Sequence, residues 1–161
     1  MNRIVIAFLL SVSFTLSGFT SVSFGKDNHA GYYYPEPQTS ETYISRLSKM
    51  ASVSKRSRVG FTVGLNAKQL KRSYAPGYHM FAKGGQSEKL IIIATEEGRY
   101  NTLFRLRALL ASLTANARKS PLFTESDAPE ELNFLDLCKL AGFTQVTISN
   151  GKDVTHQIFV V

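Results

Sequence analysis

The sequence of 161 residues predicts an α+β fold, in which a mostly antiparallel sheet of about five strands carries one long helix on one face. One observation is the segment "NTLFRLRALLASLTANARKS", in which leucines recur at helical spacing. A second is the occurrence of short apolar or alternating runs before and after that segment. A third is Asn150–Gly151 between two such runs, a dipeptide typical of a tight hairpin turn.

Residues 1–25 match the pattern of a secretory signal peptide. Arg3 precedes the apolar run Ile4–Leu10, and small residues lead to a predicted cleavage after Gly25. A membrane anchor is the alternative, but serines and a threonine dilute the apolar run, and a span needs about 20 strongly apolar residues. We therefore predict a periplasmic or secreted protein with no transmembrane span after cleavage.

Residues 26–57 are predicted to form an extended N-terminal arm that precedes a single α+β domain at 58–161. Two prolines and few aliphatic residues disfavour both a helix and a central strand in the arm. The arm contains a candidate aromatic patch, which either packs over the core or contacts a partner. The patch consists of Tyr32, Tyr33 and Tyr34.

The first part of the domain is predicted to contain a half-buried strand and a short helix. In "RVGFTVGL" (58–65) apolar residues alternate with small ones, which is the period of a strand. Asn66 is a possible cap for a short helix near residues 66–74, which "APG" ends. "YHMFAK" and "KLIIIAT" then predict two further strands, and the second of these is apolar on both faces.

The rest of the domain is predicted to contain the long helix, a short helix and a hairpin. The long helix spans residues 101–118, with Asn101 as its N-cap. An acidic loop separates it from a short helix near 133–141, which Gly142 stops. The two strands on either side of Asn150–Gly151 complete the sheet.

The stretch "FAKGGQSEKLIII" (81–93) has two interpretations. A glycine-rich loop that holds a phosphate leads from a strand into a helix, whose first amides point at the anion. Here three consecutive isoleucines, Ile91 to Ile93, follow the glycines and indicate a strand. We therefore predict that Gly84 and Gly85 form the turn of a hairpin, where a positive φ costs glycine little.

The charge of the chain is +7 and is unevenly distributed. Between Thr42 and Ser87 there are nine basic residues and no acidic one. Such asymmetry suggests a face that binds an anionic partner, and a solvated positive surface is the alternative. The candidate anion-binding residues are Arg46, Lys49, Lys55, Arg56, Arg58, Lys68, Lys71, Arg72 and Lys83.

No catalytic or metal-binding pattern is evident in the sequence. Cys138 lies in an apolar, predicted helical segment and is interpreted as a buried core residue. The three histidines stand far apart, without neighbours at metal-ligand spacing, and there is no serine-hydrolase elbow. We therefore predict no cofactor, no metal ion and no catalytic residue. An enzyme with a site assembled from distant residues is the alternative, and its candidate residues are His79, Glu96, Arg99, Tyr100 and Arg105.

Several segments carry a resemblance to a known family: "AGYYYPEPQTSETY", "GFTVGL", "YAPGYHMFAKG", "EKLIIIA", "GRYNTLFRLRALLA" and "FLDLCKLAGFTQVTIS". In these segments the chain resembles small exported proteins of proteobacteria that have no assigned activity. Some of those proteins carry the label molybdopterin-guanine dinucleotide biosynthesis protein A, which implies a nucleotidyltransferase. Enzymes of that name use a loop of the form GGxSxRMGxDK, of which "GGQSEK" matches the first part.

The charge and the missing catalytic motifs together favour a non-enzymatic exported protein that binds or assists an anionic partner. In an exported protein that partner is expected to be membrane or lipopolysaccharide head groups or an acidic protein, rather than nucleic acid. The alternatives are a relative of the labelled nucleotidyltransferases and the enzyme with a dispersed site.

Overall fold

A computed structural model of the chain describes residues 36–96, 98–118 and 132–161. The predicted signal peptide, its cleavage site and the aromatic patch Tyr32, Tyr33 and Tyr34 lie outside the described residues. In chain order the elements are β1 (Thr39–Tyr43), α1 (Lys55–Leu70), β2 (Tyr78–Lys83), β3 (Lys89–Ala94), α2 (Leu103–Ala117), α3 (Phe134–Leu140), β4 (Gln145–Ser149) and β5 (Thr155–Val160).

The five strands form one mixed sheet in the order β1-β5-β4-β3-β2. The pairs β2/β3 and β4/β5 are antiparallel, whereas β1/β5 and β3/β4 are parallel. The fold is therefore α+β as predicted, but the sheet is not mostly antiparallel. Sequence patterns identify hairpins between consecutive strands. Parallel neighbours such as β1 and β5 are separated by most of the chain, so no turn motif in the sequence indicates that they pair.

The core lies on one face of the sheet. Met80, Ile92 and Ile148 share this face and are almost fully buried. The α2 helix contributes a leucine stripe to the same cluster (Leu106, Leu109 and Leu113), and α3 adds Phe134 and Leu137. Each such side chain contributes roughly 1.5–3 kcal/mol by leaving water. The opposite face of the sheet carries no helix within the described ranges.

The strand predicted at 58–65 is wrong, and the short helix predicted near 66–74 is helical only over residues 66–70. The predicted strand (58–65) and the start of the predicted short helix (66–74) belong to one helix, α1, which begins with a capping box between Ser54 and Ser57. Apolar residues that alternate with glycine and threonine suggested a strand. The helical period stayed hidden because the buried positions of α1 are largely polar. They are Arg58, Thr62, Leu65 and Gln69, which recur at helical spacing without forming an apolar stripe.

The α1 helix is also as long as α2, with 16 and 15 residues, so the fold does not have a single long helix. Asn66 lies inside α1 and is not a cap. Its side chain exchanges two hydrogen bonds with the backbone of Met80, at 2.8 and 2.9 Å, and so covers the outer edge of β2. Half-buried Phe61 packs on Phe134 and Phe143, with ring centroids 6.5 and 5.8 Å apart.

Local predictions after residue 78 agree better with the structure. The β2–β3 hairpin is present, and its turn has Gly84 at φ +96° and Ser87 at φ +59°. The helix predicted at 101–118 is α2, although its N-cap is Thr102 and not Asn101. The helix predicted at 133–141 is α3, and Gly142 follows it at φ +79°. None of the helices in the described residues is long and apolar enough to cross a bilayer.

Candidate functional site

The nine candidate basic residues do not form one surface. Arg58 is buried, and its Nε and Nη2 both donate to the carbonyl of Gln86, at 2.9 and 2.6 Å. Lys55, one turn earlier in the helix, donates from Nζ to the carbonyl of Gly85 at 3.3 Å. These two side chains fasten α1 to the β2–β3 turn. Arg58 in particular has a structural role and does not belong to an exposed basic face.

The remaining candidates are distributed over several elements. Arg46 and Lys49 lie in the loop after β1, and Lys83 is the last residue of β2. Arg72 follows α1, and its guanidinium lies over the ring of Tyr74, 5.7 Å from the ring centroid. Only Arg56, Lys68 and Lys71 project from the solvent side of α1 or its C-cap.

The solvent side of α1 combines these cations with exposed aliphatic residues. Val59, Val63 and Leu70 are 39%, 60% and 70% exposed. We define the outer face of α1 as Arg56, Val59, Val63, Lys68, Leu70 and Lys71. At 100° per residue these positions occupy the half of the helix that is turned away from the core. Exposed aliphatic side chains beside cations, with no acid between Thr42 and Ser87, make this an amphipathic basic surface.

Two glycines keep the outer face of α1 flat. A Cβ atom added at Gly60 or at Gly64 would meet nothing within 4 Å, so both positions face open space. Glycine lowers the stability of a helix interior, and two of them on a solvent-exposed side bring no packing benefit inside the protein. A flat face of this kind allows close approach of another surface to the helix backbone.

A buried polar group lies on the helix-covered face of the sheet, where β1 pairs with β5. His156 Nδ1 is 2.8 Å from the hydroxyl of Thr39, and its Nε2 is 3.2 Å from Oε1 of Glu41 without forming a hydrogen bond. Arg107 of α2 forms an ion pair with Glu41. Burial lowers the pKa of His156, the nearby charge of Arg107 lowers it further, and the contact with Thr39 opposes both.

The order hydroxyl, imidazole, carboxylate is that of a nucleophilic triad, but His156 is only 2% exposed. A base that is closed off from solvent does not reach a substrate, so this arrangement supports an anchoring role for β1. A second network has the same effect. Buried Asp136, at the start of α3, accepts hydrogen bonds from the hydroxyls of Tyr43 at 3.0 Å and Ser45 at 2.8 Å.

The candidates for a dispersed enzyme site are only partly brought together. Glu96, Arg99, Tyr100 and Arg105 surround the loop between β3 and α2, where Arg99 forms an ion pair with Glu96 and lies 5.4 Å from the ring centroid of Tyr100. His79 lies on the other face of the sheet, away from the helices. Within the part of the chain that the structure describes, the cluster therefore has cations and a phenol but no imidazole base.

Cys138 is a core residue, and the described acidic residues form no metal-binding cluster. The thiol of Cys138 is fully buried and its pKa is raised well above the usual value, first by burial and then by the charge of Asp136. This confirms the prediction of a core residue. In the described ranges no group of three or more His, Cys, Asp and Glu side chains is arranged to hold a metal ion.

Sequence reasoning missed the Glu41–His156 contact, but it named the residues of the cluster at the β3–α2 loop, Glu96, Arg99, Tyr100 and Arg105, as candidates for a dispersed site. The first joins strands from opposite ends of the domain and has no local pattern. The second was visible as "EEGRYNTLFR", in which two arginines flank a tyrosine close to a predicted helix start. Comparison of the chain with protein-family models, with curated proteins and with solved structures found no match.

Proposed function

We propose that this chain is an exported, non-enzymatic accessory protein that binds anionic head groups at a membrane surface through the outer face of α1. The observation that supports this proposal is the combination of three cations with three exposed aliphatic residues on one acid-free helix side. The predicted signal peptide supports export. Phospholipid and lipopolysaccharide head groups both present the phosphate charge that such a face attracts.

The expected affinity is modest. A lysine or arginine close to an anionic membrane contributes about 1 kcal/mol, so Arg56, Lys68 and Lys71 together supply roughly 3 kcal/mol. Partial insertion of Val59, Val63 and Leu70 between the head groups adds an apolar contribution of about 25 cal/mol per Å² removed from water. Binding of this kind is reversible and weakens as salt shortens the screening length.

An enzyme related to the labelled nucleotidyltransferases has less support. The residues that match the start of the nucleotide loop, 84–88, join two antiparallel strands and do not lead into a helix. An amide cradle at a helix N-terminus, which such a loop uses, is therefore not formed by these residues.

The test is cosedimentation of the purified protein with phosphatidylcholine vesicles, with and without phosphatidylglycerol. We expect binding to the anionic vesicles alone, decreasing with added salt. The double variant Lys68→Ala/Lys71→Ala should bind about 30-fold more weakly, since two cations contribute about 2 kcal/mol. The matched control Lys89→Ala/Lys139→Ala removes the same charge from β3 and α3 and should bind as the parent does. Equal loss in both double variants would show that net charge, and not α1, determines binding.

A further inference from the structure

A polar groove lies between the end of α1, the start of β2 and one flank of α2. It has a volume of about 420 Å³, and its lining includes Arg72, Tyr74, Tyr78, Arg99 and Tyr100. A neighbouring cleft of about 430 Å³ shares Arg99 and Tyr100 and adds Arg105. We call the two together the arginine groove. Its volume is in the range of small-molecule sites.

The three arginines of the groove share one pattern of hydrogen bonding. Arg72 donates from Nη1 to Gln69, Arg99 from Nη1 to Glu96, and Arg105 from Nη1 to Gly98 and Asn101. Within the described residues, the Nε and Nη2 groups of all three have no protein acceptor. The Nε–Nη2 edge is one of the two-donor edges of a guanidinium, and it can bind two oxygens of an oxyanion side by side.

Two arginines elsewhere in the described part of the fold use that edge differently. Arg58 directs Nε and Nη2 at the carbonyl of Gln86, and Arg118 directs Nε and Nη2 at the carbonyl of Leu132, at 3.3 and 3.2 Å. Arg58 and Arg118 therefore satisfy the Nε–Nη2 edge internally. In the arginine groove the Nη1 bonds orient the guanidiniums of Arg99 and Arg105, while Nη1 of Arg72 lies at a longer 3.5 Å from Gln69, and the two-donor edges stay available.

Tyrosine hydroxyls add to the donors in the groove. Tyr100 is 7% exposed and lines both cavities, and its hydroxyl has no hydrogen-bond partner among the described residues. The hydroxyl of Tyr78 accepts a hydrogen bond from Gln69 Nε2 at 2.7 Å, which leaves its own proton free to donate. The Tyr100 hydroxyl is not closed off from solvent, so its proton is accessible to an acceptor bound at the wall of the two cavities.

We infer that the arginine groove binds a small phosphate-bearing molecule, such as a phosphomonoester. Among the described residues of the lining, three guanidiniums face one carboxylate, that of Glu96, and this excess of positive charge matches a phosphate dianion better than a single carboxylate. The phenols donate to the remaining oxygens. The site uses neither the outer face of α1 nor export, so it is independent of the proposed membrane binding.

Calorimetric titration of the purified protein with glycerol 3-phosphate and with pyrophosphate tests this inference, with sodium acetate as the monocarboxylate comparison. We expect saturable binding of the phosphates and none of acetate. Arg99→Ala and Arg105→Ala should each weaken phosphate binding by at least about tenfold, the loss of one or more charge-assisted hydrogen bonds. Arg107→Ala removes an arginine from the other flank of α2 and should leave the affinity unchanged.

Arg99→Lys separates recognition by the two-donor edge from simple charge attraction. If the guanidinium edge binds the phosphate, lysine should not restore affinity, because an ammonium cannot present two parallel donors. Full rescue by lysine, or phosphate binding that is equal in the parent and in both alanine variants, would overturn the inference.

Vesicles that contain phosphatidic acid distinguish a free phosphate ester from a lipid head group. If the binding of soluble phosphates depends on Arg99 and Arg105, the ligand of the site is a free ester. If only the binding of the vesicles depends on them, the ligand is a lipid head group. Failure of all phosphate probes to bind through these arginines would exclude the site and leave the proposed role of Lys68 and Lys71 unaffected.

Discussion

Replacement of Arg58 by alanine should destabilise the fold by about 3 kcal/mol. Its guanidinium donates two hydrogen bonds to the carbonyl of Gln86, at 2.9 and 2.6 Å, from a buried position. A hydrogen bond that involves a charged group contributes a net ~1.5–3 kcal/mol. The second bond shares the same acceptor and adds less, while loss of the packed aliphatic stem increases the cost.

Urea denaturation followed by circular dichroism measures this difference directly. For a folded unit of this size, a change of 3 kcal/mol corresponds to a decrease of about 10 °C in melting temperature. Arg56→Ala is the matched control, because Arg56 lies two residues earlier in the same helix and is exposed. It should change the free energy of unfolding by less than about 0.5 kcal/mol.

Vesicle binding should show the reverse order of effects. Arg56→Ala should weaken binding to anionic vesicles about fivefold, the equivalent of one cation near the surface. Arg58→Ala, measured well below its melting temperature, should bind vesicles as the parent does. Equal stability of the two variants would refute the structural role of Arg58, and equal loss of vesicle binding would refute the distinction between the two positions.

Four further outcomes are expected. The pKa of His156 is lowered below 6.5 in the fold, so the unfolded chain takes up the proton at a higher pH than the folded chain does. The free energy of unfolding should therefore decrease as the pH falls below 6.5. Urea titrations at several pH values should show that His156→Gln loses this part of the pH dependence. Gly142→Ala should lower the free energy of unfolding by more than about 1 kcal/mol, since Gly142 has φ +79° and an added Cβ would lie 2.5 Å from Val53 Cγ1. Gly64→Ala, in an open helical position, should instead raise the free energy of unfolding by roughly 0.5–1 kcal/mol and with it the melting temperature. Val63→Ser should weaken vesicle binding without changing its salt dependence, and an altered salt dependence would contradict the apolar role of that residue.

The helices and hairpins after residue 78 were predictable because local physics determines them. Leucines at helical spacing specify α2, the cap Asn133 starts α3, and glycines at positive φ form the turns. The sequence misleads at α1, where Arg58, Thr62 and Gln69 occupy the buried side. Periodicity of apolar residues cannot detect a helix whose core-facing positions are polar and whose side chains bond inside the fold, as these do with Gln86, Val59 and Tyr78.

For the proposed binding surfaces, the sequence predicts only which segments are rich in basic residues. The acid-free basic segment indicated that cations would be concentrated in one part of the fold. It could not separate Arg58, which is bonded internally, from Arg56, which is exposed, because that depends on how α1 is rotated against the β2–β3 turn. The three arginines of the groove come from two regions of the chain, which only tertiary structure brings together.

The position of β5 has a consequence for how the molecule matures. β5 lies between β1 and β4, so the earliest described strand has its lateral partner only in the latest one. Residues 39–43 therefore have no strand partner until residues 155–160 are in place, and a truncation before Thr155 leaves them unpaired. The same truncation leaves one edge of β4 without its partner, so the missing strand exposes backbone donors and acceptors that can pair with another chain.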